Sequence, residues 1–104
     1  MKTVNEMNTR TTKGYYGWSS KSEVALPNGK AIRFVTMKRS SGDLVTSAQV
    51  GTVDDYSFTT IMFQDFSKNI IKTKPARVTA KVVEAQHAMI DVDMVLAQVN
   101  AFYK

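Results

Sequence analysis

The hydrophobic positions of this chain follow two different periods, and the change between them divides it. From Gly14 through Ile71, apolar and polar side chains alternate in short runs separated by turn residues, which is the period of strands. From Ala76 to Tyr103, the positions Val78, Val82, Ala85, Met89, Val92, Leu96, Val99 and Tyr103 succeed one another at steps of 4, 3, 4, 3, 4, 3 and 4. That is the a/d repeat of a heptad helix, and no Gly or Pro interrupts it. The pattern predicts a helical layer packed on a sheet.

Lys30 to Arg39 is the clearest strand. Ile32, Phe34 and Thr36 fall on one face and Ala31, Arg33, Val35, Met37 and Arg39 on the other, so both faces carry apolar side chains, as in a central strand. Pro27-Asn28-Gly29 before it and Ser40-Ser41-Gly42-Asp43 after it are turn sequences. Leu44 to Val50 and Tyr56 to Gln64 read as further strands, with a turn at 51–55, another at 65–69 and a short last strand at Ile70-Ile71. Residues 1–13 are polar apart from Val4 and Met7; they predict a flexible arm, with an outer strand as the alternative, ahead of a single domain over 14–104.

The helix is expected to start with Thr73 as N-cap and Pro75 in the first turn. Val83, Ile90 and Ala97 add a second stripe at the b position beside the a/d seam. A continuous helix of this length would run about 42 Å, longer than the roughly 33 Å of a ten-residue strand. Either the overhang meets a second copy, or the helix breaks near Asp91, whose side chain would cap a second segment. The expected fold is α+β: an antiparallel meander of four to five strands packed against a long C-terminal helix, continuous or broken near Asp91. Ile32, Phe34, Phe58, Ile61, Val82, Met89, Leu96 and Val99 are its expected core.

Charge changes the picture by its distribution. The net +5 lies in the first part of the chain: eight basic residues through Ser40 face two acidic ones, whereas the proposed helix is neutral. A segregated basic region is a footprint for a polyanion, although cations also keep strand edges soluble. With no Cys there is no disulfide, zinc ribbon or thiol nucleophile, and a reducing cytoplasm is the simplest compartment. The polar sequence after Met1 predicts neither a signal peptide nor a membrane span.

Candidate chemistry is sparse. His87, with Glu84 three residues before it and Asp91 four after, has the spacing of one helix surface, but no second ligand pair accompanies it and the trio reads as solvated surface. Asp54-Asp55 read as turn residues, and Gly14 and Gly17 lack the Lys-Ser or Lys-Thr of a phosphate loop. No catalytic, metal or cofactor site is expected, and the chain reads as a non-enzymatic binding or regulatory module. Aromatics interleaved with cations remain: Tyr15, Tyr16 and Trp18 with Lys13, Lys21, Arg33, Lys38 and Arg39. Stacking on bases and pairing with phosphates is how single-strand binders work, so Tyr15, Trp18, Lys21, Arg33 and Arg39 are the expected nucleic-acid contacts. The alternatives are a protein-interaction module, as a homodimer or an inhibitor of a partner, and a carrier of an apolar ligand with Met37, Met62, Met89 and Met94 in its core.

Overall fold

The computed structural model describes residues 8–15, 17–25, 29–53 and 60–102, with side-chain detail for most of them. Five strands follow one another in space as in sequence: β1 (Asn8–Gly14), β2 (Gly17–Ala25), β3 (Lys30–Lys38), β4 (Leu44–Val53) and β5 (Thr60–Thr73). Every neighbouring pair is antiparallel, so the sheet is a meander. Two short helices follow, α1 (Ala80–His87) and α2 (Val92–Phe102). None of the described helices is long and apolar enough to cross a membrane.

Register assigns the faces. Thr9 and Thr11 stand opposite Ser22 and Ser20, which stand opposite Phe34 and Thr36, which stand opposite Ala48 and Thr46. These positions form the face that the helices cover. Its apolar half is built by Ile32, Phe34, Ala48 and Val50 with Ile90, Val92, Val95 and Val99, all buried, and Val24, Ile70, Ile71 and Leu96 close its margin. Each Val, Ile or Phe side chain that is fully buried here contributes roughly 1.5–3 kcal/mol. The other half of the same face is polar, because Ser20, Ser22, Thr36 and Thr46 are buried there under α1. On the opposite face Ala31, Val35, Val45 and Ser47 are also buried, which fits β3 and β4 as inner strands.

The helical region departs from the heptad reading. There is no long helix: α1 ends at His87 and α2 starts at Val92. The last turn of α1 tightens, with the amides of Met89 and Ile90 donating to the carbonyls of Gln86 and His87 at 3.0 and 3.3 Å. Asp91 then caps α2, accepting from the Met94 amide at 3.1 Å, as the broken-helix alternative requires. The break shifts the inward stripe by one position. In α2 the buried Val92 and Val99 keep the a/d phase while Val95 is buried in place of its a/d neighbour Leu96, and around α1 the buried residues are Val83, Gln86, His87 and Ile90, the b stripe and its neighbours. Met89, expected in the core, is therefore 68% exposed, and Met94 is 48% exposed. Val82, Leu96 and Met37 are only partly buried. Phe58 lies outside the described residues, as do the side chains of Ile61 and Met62.

Three further expectations are corrected. Residues 8–13 belong to the outer strand β1 and not to a flexible arm, while residues 1–7 lie outside the described residues. The expected turn at 65–69 lies within β5, and Gly51 within β4. Fourteen residues of β5 run beside ten of β4, and register shifts between Thr46 and Ala48, Ala48 and Gln49, and Thr52 and Val53 absorb the excess. Polar residues that resemble a turn thus serve as bulges. The cap of α1 is Thr79, which accepts from the Val82 amide at 3.3 Å, because Thr73 ends β5 and its hydroxyl is committed elsewhere. The hairpin at Ser40-Ser41-Gly42-Asp43 is as expected: Arg39 donates to the Asp43 carbonyl at 2.8 Å, and Gly42 takes φ +92°, where a side chain would be strained. Of the expected Pro27-Asn28-Gly29 turn, residues 26–28 lie outside the described residues; Gly29 takes φ +76°.

Candidate nucleic-acid interface

The meander brings alternate hairpins to one end of the sheet. The β1–β2 turn carries Tyr15 between Gly14 and Gly17, which pair directly, and Gly17 adopts φ +113° to close the reversal. The β3–β4 turn carries Arg39 and Ser40. Tyr15 is 96% exposed, while Trp18 is half-buried at the start of β2. One groove is lined by Gly14, Tyr15, Trp18, Met37 and Lys38. A second groove, lined by Met37, Lys38, Arg39 and Ser40, shares two of those residues, so the two adjoin at Met37 and Lys38.

Cations surround this groove. Lys13 stands opposite Trp18 in the register, and its Nζ lies 5.8 Å from the centre of the Trp18 ring, within cation–π range. Lys38 and Arg39 are exposed at the next hairpin. The acidic residue of that hairpin, Asp43, accepts from Ser41 at 2.9 Å and lies 3.7 Å from the exposed Lys72.

Of the five expected contact residues, the structure groups Tyr15, Trp18 and Arg39 at this end and separates the other two. Lys21 and Arg33 stand in mid-strand on the face away from the helices, opposite Val35 and Glu23 respectively. Arg33 is bonded to Glu23 at 3.2 Å. Lys38, weighed beside them, belongs with the hairpin end. Strand alternation separates Lys38 from Arg33, since odd and even positions of β3 cannot share a face, and Arg39 lies past the end of the strand in the hairpin.

A second cluster went unread in the sequence. His87, expected on a solvated surface, is 1% exposed, with Nε2 2.7 Å from Ser22 Oγ and Nδ1 2.8 Å from Thr36 Oγ1. Burial lowers its pKa from the ordinary 6.5 to about 4, so the ring is neutral at pH 7. Gln86 donates to the Leu44 carbonyl at 2.9 Å and to Thr46 Oγ1 at 3.1 Å, and accepts from the Thr73 hydroxyl. Thr36 and Thr46 pair at 2.7 Å, and Thr9 and Ser22 at 2.8 Å. This seam links all five strands through α1. Beside it, Thr9, Thr11, Ser20, Glu84 and His87 line a cleft of about 390 Å³. The Thr11 and Ser20 hydroxyls at the cleft wall pair with each other at 2.8 Å. Ser22 faces the imidazole as a nucleophile would, but it is fully buried, which keeps substrate away. Among the described residues no three His, Cys, Asp or Glu side chains are grouped as metal ligands.

Comparison with protein-family models, with curated protein sequences and with solved structures finds no match to this chain.

Proposed function

We propose that this protein is a small non-enzymatic binding module that holds single-stranded nucleic acid at the hairpin end of its sheet. The observation that carries the reading is the shared groove, in which Tyr15 and Trp18 lie alongside Lys38 and continue to Arg39, with Lys13 over the indole. Aromatic faces stack on unpaired bases with little regard to sequence, and each stacked base is worth about 1–3 kcal/mol. Cations at the rim hold the flanking phosphates. Lys13 takes one face of the Trp18 ring, so a base stacks on Tyr15 or on the remaining face of Trp18. Lys21 and Arg33 contribute only to the general positive field.

Trp18, the single Trp of the chain, is its own reporter. Addition of a short single-stranded DNA or RNA at low salt should quench and shift its emission, and Trp18→Ala should weaken binding by about 1–3 kcal/mol. Unchanged emission together with no mobility shift for any oligonucleotide would remove the reading. A second reading, a protein-interaction module, is favoured by exposed Met89 and Met94 with the exposed Ala97 and Ala101 on the outer side of α2. A homodimer is the form it would take, and sedimentation velocity at high micromolar protein would test it.

A further inference from the structure

We infer that His87 is a proton-sensitive latch: its neutral ring fastens α1 to β2 and β3, and a proton on the ring releases the helix from the sheet. The inference starts from the direction of the hydrogen bonds. The Leu44 carbonyl can only accept, so the nitrogen of the Gln86 amide must face it, and the same nitrogen donates to Thr46. The buried Thr46 hydroxyl accepts from that nitrogen and has Thr36 as its one partner able to accept, so its own proton goes to Thr36. Thr36 in turn donates to Nδ1 of His87. Nε2 must then carry the ring proton and donate it to Ser22, whose hydroxyl donates to Thr9. Each proton in the row is used once, and the neutral Nε2–H tautomer is the one that closes it.

An imidazolium cannot take the same place. Its Nδ1–H would meet the Thr36 proton across 2.8 Å, donor against donor. Relief requires Thr36 to turn its proton towards Thr46, which already accepts from Gln86 and would have to redirect its own. Among the described residues the ring's hydrogen-bond partners are the neutral Ser22 and Thr36, with no carboxylate bonded to it. Toward the ring, β1 presents Thr9 and Thr11, β2 presents Ser20 and Ser22, β3 presents Phe34 and Thr36, and β4 presents Leu44 and Thr46. Lys21, Glu23, Arg33 and Lys72 belong to the other face, while Lys13 lies over Trp18 and Lys38 is exposed at the hairpin. On β5 the Thr73 hydroxyl goes to Gln86, and Lys74 beyond the strand is exposed. On α1, Lys81 is exposed, and Glu84 lines the adjoining cleft but is itself exposed to water. Asp91 caps α2, and Asp93 is exposed in its first turn. An eight-residue helix has no stability of its own, so α1 stays where the seam holds it.

The folded ring titrates near 4 and a released ring near 6.5. Release therefore binds a proton between those values and grows easier as pH falls through them, while above pH 6.5 the latch is at full strength. From pH 7 to pH 5 the opening equilibrium of α1 should rise about twentyfold, a window that stays above most carboxylate titration.

Amide hydrogen exchange, corrected for the intrinsic pH dependence, measures this on the intact protein. The expected result is that α1 amides open before those of β3 and β4, and that their protection falls about twentyfold between pH 7 and pH 5. In His87→Gln, which keeps one donor and one acceptor without titrating, that dependence should vanish. Should this variant not fold, ring ¹⁵N shifts of the unaltered protein decide, since the latch requires the neutral Nε2–H tautomer at pH 7. Constant α1 protection across the window, opening of α1 only together with the whole sheet, or an Nδ1–H tautomer would each overturn the inference.

Discussion

Gln86→Leu isolates the contribution of the polar seam. Leucine keeps the volume and helix propensity of glutamine, so the change removes hydrogen bonds and little else. Gln86 is 5% exposed and supplies donors to the Leu44 carbonyl and Thr46 Oγ1, besides accepting from Thr73. A buried polar group that loses its partner costs about 1–3 kcal/mol. Thr46 keeps Thr36, and Thr73 is exposed and can turn to water, so the two lost donations sum to about 2–4 kcal/mol. Burial of an apolar side chain in place of the amide returns about 1 kcal/mol, leaving a net loss of about 1–3 kcal/mol, or a melting temperature lower by about 5–20 °C. Thr46→Val, made alone, should also destabilise. The double variant removes donor and acceptor together, so its cost should fall short of the sum by about 1–2 kcal/mol. Urea unfolding followed by circular dichroism measures all four proteins. A single variant as stable as the parent, or strictly additive costs, would refute the seam as a stabilising unit.

Other substitutions probe the packing and the helix break. Phe34→Ala should cost about 3–5 kcal/mol, because the ring is fully buried between the sheet and the apolar half of the helical layer. Met89→Ala should change stability by less than about 0.5 kcal/mol, since the side chain is mostly exposed, and chemical denaturation of the two variants side by side checks the corrected phase of α1. Asp91→Ala should cost about 0.5–2 kcal/mol through the lost α2 cap, and Asp91→Asn, which keeps the acceptor, should restore most of it in the same assay. If the outer side of α2 joins two copies, Met94→Lys should shift sedimentation from dimer to monomer without altering the circular dichroism spectrum.

The sequence makes some of this fold legible and hides the rest for physical reasons. β3 could be read as a central strand because Ile32 and Phe34 on one face and Ala31 and Val35 on the other are all apolar, and they are buried as that pattern requires. The Gly42 turn was legible because its residue types have few other uses. β1 was not, since its inward positions are Thr9 and Thr11, whose burial partners are hydroxyls and leave no hydrophobic alternation. The unbroken β5 was obscured by polar residues at 65–69 that a bulged strand accommodates as readily as a turn. In the C-terminal part, the b-position residues Val83 and Ile90 marked the true inward side of α1. The a/d series outweighed them because the remaining inward positions are Gln86 and His87, polar side chains that a hydrophobic count places outside. A signal was nonetheless present: Val83, Gln86, His87 and Ile90 follow i, i+3, i+4 and i+7, and Ser20, Ser22, Thr36 and Thr46 supply hydroxyls at alternate strand positions. The aromatic and basic residues were found, but which of them share a surface depended on register and on the hairpins meeting at one end.

Oligonucleotide affinity measured against salt, for two paired variants, tests the hairpin-end site most directly. Lys38→Ala with Arg39→Ala removes two cations from the shared groove, whereas Lys21→Ala with Arg33→Ala removes two from the far face of the sheet. Each phosphate contact contributes about 0.7 to the slope of log affinity against log salt for a single strand. The hairpin pair should flatten that slope by about 1.4 and weaken binding at every salt concentration in the working range, while the sheet pair should leave the slope nearly unchanged. A slope flattened by the sheet pair and not by the hairpin pair, or equal losses from both, would contradict a site built on the hairpins around Trp18.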